Sequence, residues 1–282
     1  MSGFGARLID AVAAYGPLCV GIDPHPALLA EWGLTDDADG LERFAMSCVD
    51  ALAGHVAVVK PQSAFFERHG SAGIAVLERV LAALADTPTL SLLDVKRGDI
   101  GSTMDAYADA YLGVGAPLAA DAITLSPYLG LGSLTSAIRT AEDVGRGVFV
   151  LARTSNPEGA EVQLADRAGR CVAQAVVDGV AALNAGARSG GGAGIDTAAS
   201  LGGVGVVVGA TAAHGLDLSA LNGPVLAPGF GAQGARPSDL AARFAGVNGI
   251  VLPSASRSVL RVGPVAMRVA AAALRDELIA AR

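Results

Sequence analysis

Eight short runs rich in β-branched residues or leucine recur along the chain, each with the length of a buried strand. They lie at Leu18–Ile22, Val56–Lys60, Thr89–Lys96, Ala122–Ser126, Val148–Arg153, Val204–Thr211, Val225–Gly229 and Ile250–Ser256. Ala- and Leu-rich segments with helical spacing lie between them, at Leu41–Leu52, Ile74–Leu84, Met104–Leu112, Leu134–Val144 and Ala165–Leu183, and a last one follows at Val262–Leu278. Strand and helix therefore alternate throughout the sequence.

This alternation predicts a parallel sheet, because parallel strands need a crossover between them. Eight units in 282 residues fit a closed (β/α)8 TIM barrel better than an open doubly wound sheet. We therefore expect one α/β domain over residues 1–282, with functional residues at the carboxyl ends of the strands.

One stretch departs from the alternation. Residues 184–205 are dominated by Ala, Ser and Gly, and we interpret them as a Gly-rich surface insertion before the sixth strand. A glycine-rich phosphate loop is the alternative, but the Gly-x-x-x-x-Gly-Lys-Ser/Thr pattern is absent. The insertion is the favoured interpretation.

Composition narrows the partners and the compartment. Only 17% of the residues are charged and the formal net charge is −7, which argues against a nucleic-acid or anionic-membrane surface. Cys19, Cys48 and Cys171 form no Cys-x-x-Cys pair, so we interpret them as buried free thiols. Asp10 and Asp23 interrupt the N-terminal apolar region, which fits neither a signal peptide nor a membrane span. We expect a cytoplasmic protein.

The segment Leu92–Ile100 places Lys96 between Asp94 and Asp99 at the end of the third run. Side chains two apart on a strand share a face, so Asp94 and Lys96 should point the same way, while Gly98 lets the chain turn. Clustered carboxylates commonly bind a metal, but an ammonium between them supplies the positive charge that a cation would bring. We therefore favour chemistry without a metal or a cofactor. A capping Asp94 in a solvated turn is the alternative.

Lys60 ends the second run and precedes a proline that keeps the chain extended. It can point over the mouth of the predicted barrel, where anionic side chains would complement it. Lys60, Asp94, Lys96 and Asp99 form the predicted catalytic array, in which each charge favours the ionised state of its neighbours. For Lys60 alone, a lysine that extends into solvent at the rim is the alternative.

The loops after the seventh and eighth runs are the usual phosphate site of such barrels. Here they are Pro228–Gly234 and Ser254–Arg257. Glycines let backbone N–H groups approach an anion, Gln233 offers amide donors, and Arg257 can form paired hydrogen bonds to phosphate oxygens. A phosphorylated small molecule is the expected substrate. A tight glycine turn, with Arg257 paired to a surface carboxylate, is the alternative.

Taken together, these residues resemble the orotidine 5'-phosphate decarboxylase family. The family's Asp-x-Lys-x-x-Asp-Ile-x-x-Thr signature matches Asp94–Thr103, and its Pro-Gly-x-Gly-Ala-Gln-Gly loop matches Pro228–Gly234. Asp23, Lys60 and Arg257 complete the pattern in the expected order. The resemblance therefore covers nearly the whole barrel.

Residues 153–157, Arg-Thr-Ser-Asn-Pro, are similar to the longer-chain subgroup of that family. Two departures stand out. Ser256 precedes Arg257 where many members have glycine, and the 184–205 stretch has no counterpart in shorter members. Neither departure touches the charged array.

The resemblance implies roles for individual residues. Asp23 and Lys60 would hold ribose hydroxyls, Ser155 would contact the pyrimidine, and Gln233 and Arg257 would bind the phosphate. The residues implied to bind substrate are Asp23, Ile100, Thr103, Ser155, Pro228, Gln233 and Arg257. The resemblance also implies a homodimer in which Asp99, Ile100 and Thr103 reach into the neighbouring subunit's site.

The implied reaction is decarboxylation of orotidine 5'-phosphate to uridine 5'-phosphate and CO2, the last step of de novo UMP biosynthesis, without a metal or a cofactor. Loss of CO2 leaves a carbanion at C6 of the pyrimidine, which Lys96 would stabilise and protonate. The alternative is a magnesium-dependent sugar-phosphate decarboxylase or aldolase of the same superfamily, where a carboxylate generally replaces Lys60. A catalytically silent nucleotide-binding barrel is the third candidate.

Overall fold

The computed structural model describes residues 2–189, 201–211, 213–230 and 236–281. Eight parallel strands close into a barrel, and each strand pairs with its neighbours in sequence. The strands are β1 (Cys19–Ile22), β2 (Val58–Pro61), β3 (Leu90–Arg97), β4 (Ala122–Leu125), β5 (Gly147–Arg153), β6 (Val204–Val208), β7 (Val225–Pro228) and β8 (Val251–Ala255). Every predicted strand is confirmed within a few residues, and so is the TIM barrel.

Helices cover the outside of the barrel and one of its ends. They are α1 (Phe4–Tyr15), α2 (Pro26–Glu31), α3 (Ala38–Leu52), α4 (Ser63–Glu67), α5 (Gly70–Ala85), α6 (Gly101–Leu112), α7 (Thr135–Asp143), α8 (Gly159–Gln163), α9 (Val172–Ser189), α10 (Pro237–Arg243), α11 (Arg257–Leu260) and α12 (Gly263–Ala280), with a 3-10 turn at Leu131–Leu134. In the part of the chain that the structure describes, no helix combines the length and the apolar character needed to cross a membrane.

The prediction of one helix over Ala165–Leu183 is wrong at its start. Asp166–Arg167 and Arg170–Cys171 form a small antiparallel hairpin, and α9 begins only at residue 172. The two turn residues, Ala168 and Gly169, have φ values of 55° and 82°, which a right-handed helix does not accommodate.

The barrel interior follows the alternation of each strand. On β3, Leu90 and Leu92 belong to the apolar cluster inside the barrel, whereas Leu93 and Val95 belong to the layer between strands and helices. The next inward position after Leu92 is Asp94, which is buried. The apolar filling of the barrel therefore ends where the charged residues begin.

Helix α1 closes the opposite end of the barrel. Phe4, Leu8 and Ala11 are buried in the interior cluster. The Phe4 ring meets the ring of Phe149 from β5 edge to face, with centroids 6.0 Å apart. Ligand access is therefore confined to the end where the strand carboxyl termini lie.

Both ends of the predicted 184–205 insertion belong to regular elements. Asn184 is a buried residue of α9 whose amide donates hydrogen bonds of 2.9 Å to the carbonyls of Val204 and Leu221, and β6 begins at Val204. Residues 190–200 lie outside the described part of the chain, so their interpretation as a surface insertion stays a prediction.

The cysteine prediction is confirmed in part. Cys19 and Cys48 are buried free thiols, whereas Cys171, at the end of the hairpin, is only half-buried. Burial raises the pKa of Cys19 to about 12. That thiol therefore behaves as an apolar filler of the barrel wall.

Gly205 on β6 offers a test of the tight barrel interior. A Cβ at this position would lie 2.5 Å from the Pro224 carbonyl oxygen and 2.8 Å from the Phe149 ring. Gly205→Ala should lower the free energy of unfolding by about 1–3 kcal/mol, because neither group can move freely. Urea denaturation measures the change, with Gly132→Ala as the control because nothing lies within 4 Å there. Equal unfolding midpoints for the two variants would contradict this packing.

Candidate functional site

A cavity of about 600 Å³ opens at the carboxyl ends of the strands, within the size range of small-molecule sites. All eight strands or the loops directly after them line it. The lining residues are Asp23, His25, Lys60, Gln62, Asp94, Lys96, Thr124, Leu151, Thr154, Ser155, Asn156, Val207, Leu226, Pro228, Gly229, Phe230, Ser254, Ser256 and Arg257. Thr211, a polar residue after β6, is not among them.

The carboxylate of Asp94 lies on the cavity floor, directly after the apolar filling of the barrel, and accepts four hydrogen bonds. Oδ1 accepts from Lys96 Nζ at 2.7 Å and from the Thr124 hydroxyl at 2.7 Å. Oδ2 accepts from Lys60 Nζ at 3.0 Å and from the Gln62 amide at 3.1 Å. The predicted cluster of Lys60, Asp94 and Lys96 is therefore present, and both carboxylate oxygens are fully engaged.

Burial and charge oppose each other in this cluster. The Lys60 and Asp94 side chains are 7% and 8% exposed, whereas that of Lys96 is 46% exposed. Burial by itself raises the pKa of Asp94, but the ammonium groups of Lys60 and Lys96 outweigh it and hold that pKa well below its usual range. Burial likewise lowers the pKa of Lys60, but Asp94 and Asp23 outweigh it and hold that pKa above its usual range. The pair is charged at neutral pH.

Lys60 and Lys96 are the only lysines in the sequence, and all other basic side chains are arginine or histidine. An ammonium is a compact point charge, whereas a guanidinium is a planar donor that spreads its charge. Both compact cations of the chain therefore contact one carboxylate.

The strand that carries Asp94 and Lys96 is irregular. Leu93 pairs with Ile123 and Arg97 pairs with Leu125, so four steps along β3 match only two along β4. Within this bulge Lys96 has a φ of 47°, the left-handed region that non-glycine residues rarely adopt. Bulges redirect side chains near functional sites, and here the bulge aims Lys96 into the cavity.

Gly98 serves close packing rather than a positive φ. A Cβ at this position would lie 2.3 Å from the carbonyl oxygen of Ser126. The chain segments after β3 and β4 are also joined by a 2.7 Å hydrogen bond from the Ser126 N–H to the Arg97 carbonyl. The expectation that Gly98 supplies the turn is therefore corrected, because the left-handed residues here are Lys96 and Gly101.

Asp99, Ile100 and Thr103 lie outside the cavity of their own chain. The Asp99 carboxylate accepts a 2.8 Å hydrogen bond from the Ile100 N–H, and among the described residues it forms no ion pair. Ile100 is 63% exposed, and Thr103 is exposed on α6. The expectation that the turn after β3 brings Asp99 to the lysines is therefore wrong within one chain.

Several polar groups in the cavity have no protein partner. Asp23 Oδ1 and Ser256 Oγ are buried without a hydrogen bond. Arg257 lines the cavity and forms no ion pair with any described carboxylate, so the alternative of a surface ion pair finds no support there. Buried groups without partners are costly, and a polar ligand would satisfy them.

The residues predicted to bind the pyrimidine and the phosphate differ in their position relative to the cavity. Ser155 is exposed at the cavity rim, beside Thr154, whose N–H donates to Gln163 Oε1 at 2.9 Å and whose hydroxyl accepts from Gln163 Nε2 at 2.8 Å. Pro228 lines the cavity at the end of β7. Gln233 lies outside the described residues.

Gln62 and Thr124 contact Asp94 in the site, but the sequence predicted no role for either. Gln62 follows Lys60 by two positions, which is the spacing of one strand face. Thr124 is a polar residue within the apolar run of β4, two positions after the inward-facing Ala122. Both signals are available in the sequence, but neither identifies Asp94 as the partner.

Comparison with known proteins identifies related chains. The model of the orotidine 5'-phosphate decarboxylase / HUMPS family matches residues 16–272. A Salinispora arenicola protein named orotidine 5'-phosphate decarboxylase is 58% identical over 275 residues, covering 96% of this chain and 95% of its own. A Nocardioides protein of the same name is 55% identical over 280 residues and covers 98% of each chain.

A solved structure has the same fold. It is the crystal structure of a Streptomyces avermitilis protein described as an orotidine 5'-phosphate decarboxylase, with 53% sequence identity and a TM-score of 0.92. The match covers 100% of this chain and 96% of the other.

Replacing Asp94 tests the charge balance of the cluster. Asp94→Asn should lower the free energy of unfolding by about 3–5 kcal/mol at neutral pH, because it leaves buried Lys60 without its counter-charge. A carboxyl group whose pKa is lowered in the folded state stabilises the fold at pH values above the ordinary aspartate pKa of about 3.9. This stabilisation is lost as the pH falls through the pKa of the folded state.

The stability gap between wild type and Asp94→Asn should therefore narrow as the pH falls below that ordinary value. Urea denaturation across a pH series measures this gap, with Asp10→Asn, at an exposed position of α1, as the matched control. A gap that is independent of pH, or one no larger than that of the control, would contradict the charge balance.

Proposed function

The chain belongs to the orotidine 5'-phosphate decarboxylase / HUMPS family, and we propose that Lys96, held by Asp94, carries the chemistry of its reaction. The enzyme is a carboxy-lyase that converts orotidine 5'-phosphate to uridine 5'-phosphate and CO2 in UMP biosynthesis. The observation that carries the proposal is the 2.7 Å contact of Lys96 Nζ with a buried carboxylate on the cavity floor.

Lys96 is proposed to stabilise charge that develops during the reaction. The bond between C6 and the carboxylate breaks, CO2 leaves, and the electron pair stays on C6 of the pyrimidine. A fixed ammonium beside C6 stabilises this carbanion without reorganisation of solvent. Lys96 then donates a proton to C6 to form the product, and the neutral amine regains a proton from solvent.

The other cavity residues are proposed to bind the non-reacting parts of the substrate. Asp23, with a buried oxygen that lacks a protein partner, accepts hydrogen bonds from the ribose hydroxyls, and Lys60 donates hydrogen bonds to them. Arg257 and Gln233 bind the phosphate, and the freedom of Arg257 from described carboxylates supports its part. Ser155 contacts the pyrimidine. Binding energy from these groups holds the base against Lys96.

The reaction is proposed to need neither a metal nor a cofactor. Each oxygen of Asp94 already accepts two hydrogen bonds from protein donors, so neither has a free lone pair for a cation. Lys60 lies where a metal-dependent relative would need another carboxylate. Asp94 also lies near the expected position of the substrate carboxylate, and any contribution of their repulsion is secondary to stabilisation by Lys96.

A homodimer is proposed to complete the site. Asp99, Ile100 and Thr103 would enter the cavity of the neighbouring subunit. Exposed apolar side chains in the same region support this arrangement, because Ile100 is 63%, Tyr128 79% and Leu129 52% exposed. The loops that carry them are adjacent, joined by the contact between Arg97 and Ser126.

The assay for the proposal follows the loss of orotidine 5'-phosphate absorbance with and without EDTA. Lys96→Ala should lower kcat/KM by more than about ten-thousandfold, since it removes both the fixed charge and the proton donor. Arg139→Ala, at an exposed position of α7, is the control for loss of a cation. Turnover that EDTA abolishes, or that survives in Lys96→Ala, would overturn the proposed mechanism. Activity only on a sugar phosphate with magnesium would favour the alternative enzyme class.

Subunit mixing tests the shared site. Lys96→Ala and Asp99→Ala homodimers should each be inactive, whereas a mixture after subunit exchange should regain about one quarter of the wild-type sites. Each mixed dimer then holds one site with an intact Lys96 and an intact Asp99. No recovery from two folded, exchanging dimers would contradict a site built from both subunits.

A further inference from the structure

Thr124 occupies a special position opposite the bulge in β3. It lies on β4 between Ile123 and Leu125, the two residues that pair with the ends of the bulge, and it is 1% exposed. Its side chain faces the barrel interior, as does that of Ala122. Thr124 therefore faces the irregular segment that carries Asp94 and Lys96.

The Thr124 hydroxyl bridges the backbone of Lys96 and the side chain of Asp94. Its oxygen accepts a hydrogen bond of 2.9 Å from the Lys96 N–H. Its own proton is donated to Asp94 Oδ1 at 2.7 Å. A hydroxyl has one proton, so donation to Asp94 leaves its lone pairs for the Lys96 N–H and fixes the direction of both bonds.

This bridge supports a backbone conformation that is otherwise unfavourable. A non-glycine residue in the left-handed region costs of order 1–3 kcal/mol and persists only where its surroundings hold it. The Lys96 φ of 47° is such a case, and its N–H is bonded to a side chain. We propose that Thr124 is a positioning residue for the reaction, which holds the Lys96 backbone and the Asp94 carboxylate in register so that Nζ lies at the reacting carbon.

The kinetic test compares three substitutions at this position. Valine keeps the shape but removes donor and acceptor, alanine removes them with less bulk, and serine keeps the hydroxyl. Thr124→Val and Thr124→Ala should lower kcat by about 10–100-fold, because a small misplacement of a reacting group is costly. The KM and the Kd for uridine 5'-phosphate should change by less than about threefold, because remote groups supply most of the binding energy. Thr124→Ser should restore most of kcat.

Amide hydrogen exchange tests the hydrogen bond between the Lys96 N–H and Thr124 without measuring turnover. Hydrogen exchange at the Lys96 amide should accelerate in Thr124→Val and Thr124→Ala and stay slow in Thr124→Ser. Thr135→Val is the control, because the Thr135 hydroxyl bonds to Gly132 on the exposed surface. Thr124→Ala provides the readout if the valine variant does not fold.

The inference rests on the proposed function for its kinetic part only. Unchanged kcat in the valine and alanine variants, or a serine variant as slow as they are, would overturn it. So would unchanged exchange at the Lys96 amide. A wild-type protein without activity on orotidine 5'-phosphate would refute the proposed function instead, and the exchange measurement would still decide the role of Thr124.

Discussion

The site depends on the hydrogen bonds and ion pairs of the Asp94 carboxylate. This carboxylate binds both lysines of the chain, together with Gln62 and Thr124, at the level where the apolar filling of the barrel ends. A buried carboxylate or ammonium alone would be strongly disfavoured, whereas the set compensates its own charges. Lys96 remains the half-exposed member, with its ammonium fixed at the cavity. The buried charge cluster therefore holds an oriented ammonium group at the cavity.

The barrel supplies the rigidity that this arrangement needs. The eight strands close without an edge, and α1 closes the end of the barrel opposite the cavity. The floor of the cavity is therefore rigid. The bulge in β3 is the exception, and there Lys96 adopts a strained backbone. Strain of this kind is concentrated at functional sites because the surrounding structure maintains it. The hydrogen bonds of Thr124 link that strained segment to the regular strand beside it.

Apolar periodicity was sufficient to predict the barrel, because each strand and most helices carry their pattern locally. The hairpin at 166–171 was missed because its turn depends on Ala168 in a left-handed conformation, which alanine rarely adopts. The contact between Lys60 and Asp94 could be predicted from strand order. The role of Thr124 could not, because it arises from a register shift between two strands. Asp99 was misplaced because Gly98 packs against Ser126 and does not turn the chain back toward the lysines.

One carboxylate holds both ammonium groups, and this contact is directly measurable because the chain has only two lysines. Nitrogen-15 labelling of lysine gives only two Nζ signals, those of Lys60 and Lys96. Both signals should shift when folded Asp94→Asn is compared with wild type, and neither should shift in Asp10→Asn. A folded Asp94→Asn protein in which either lysine signal keeps its wild-type position would contradict this contact.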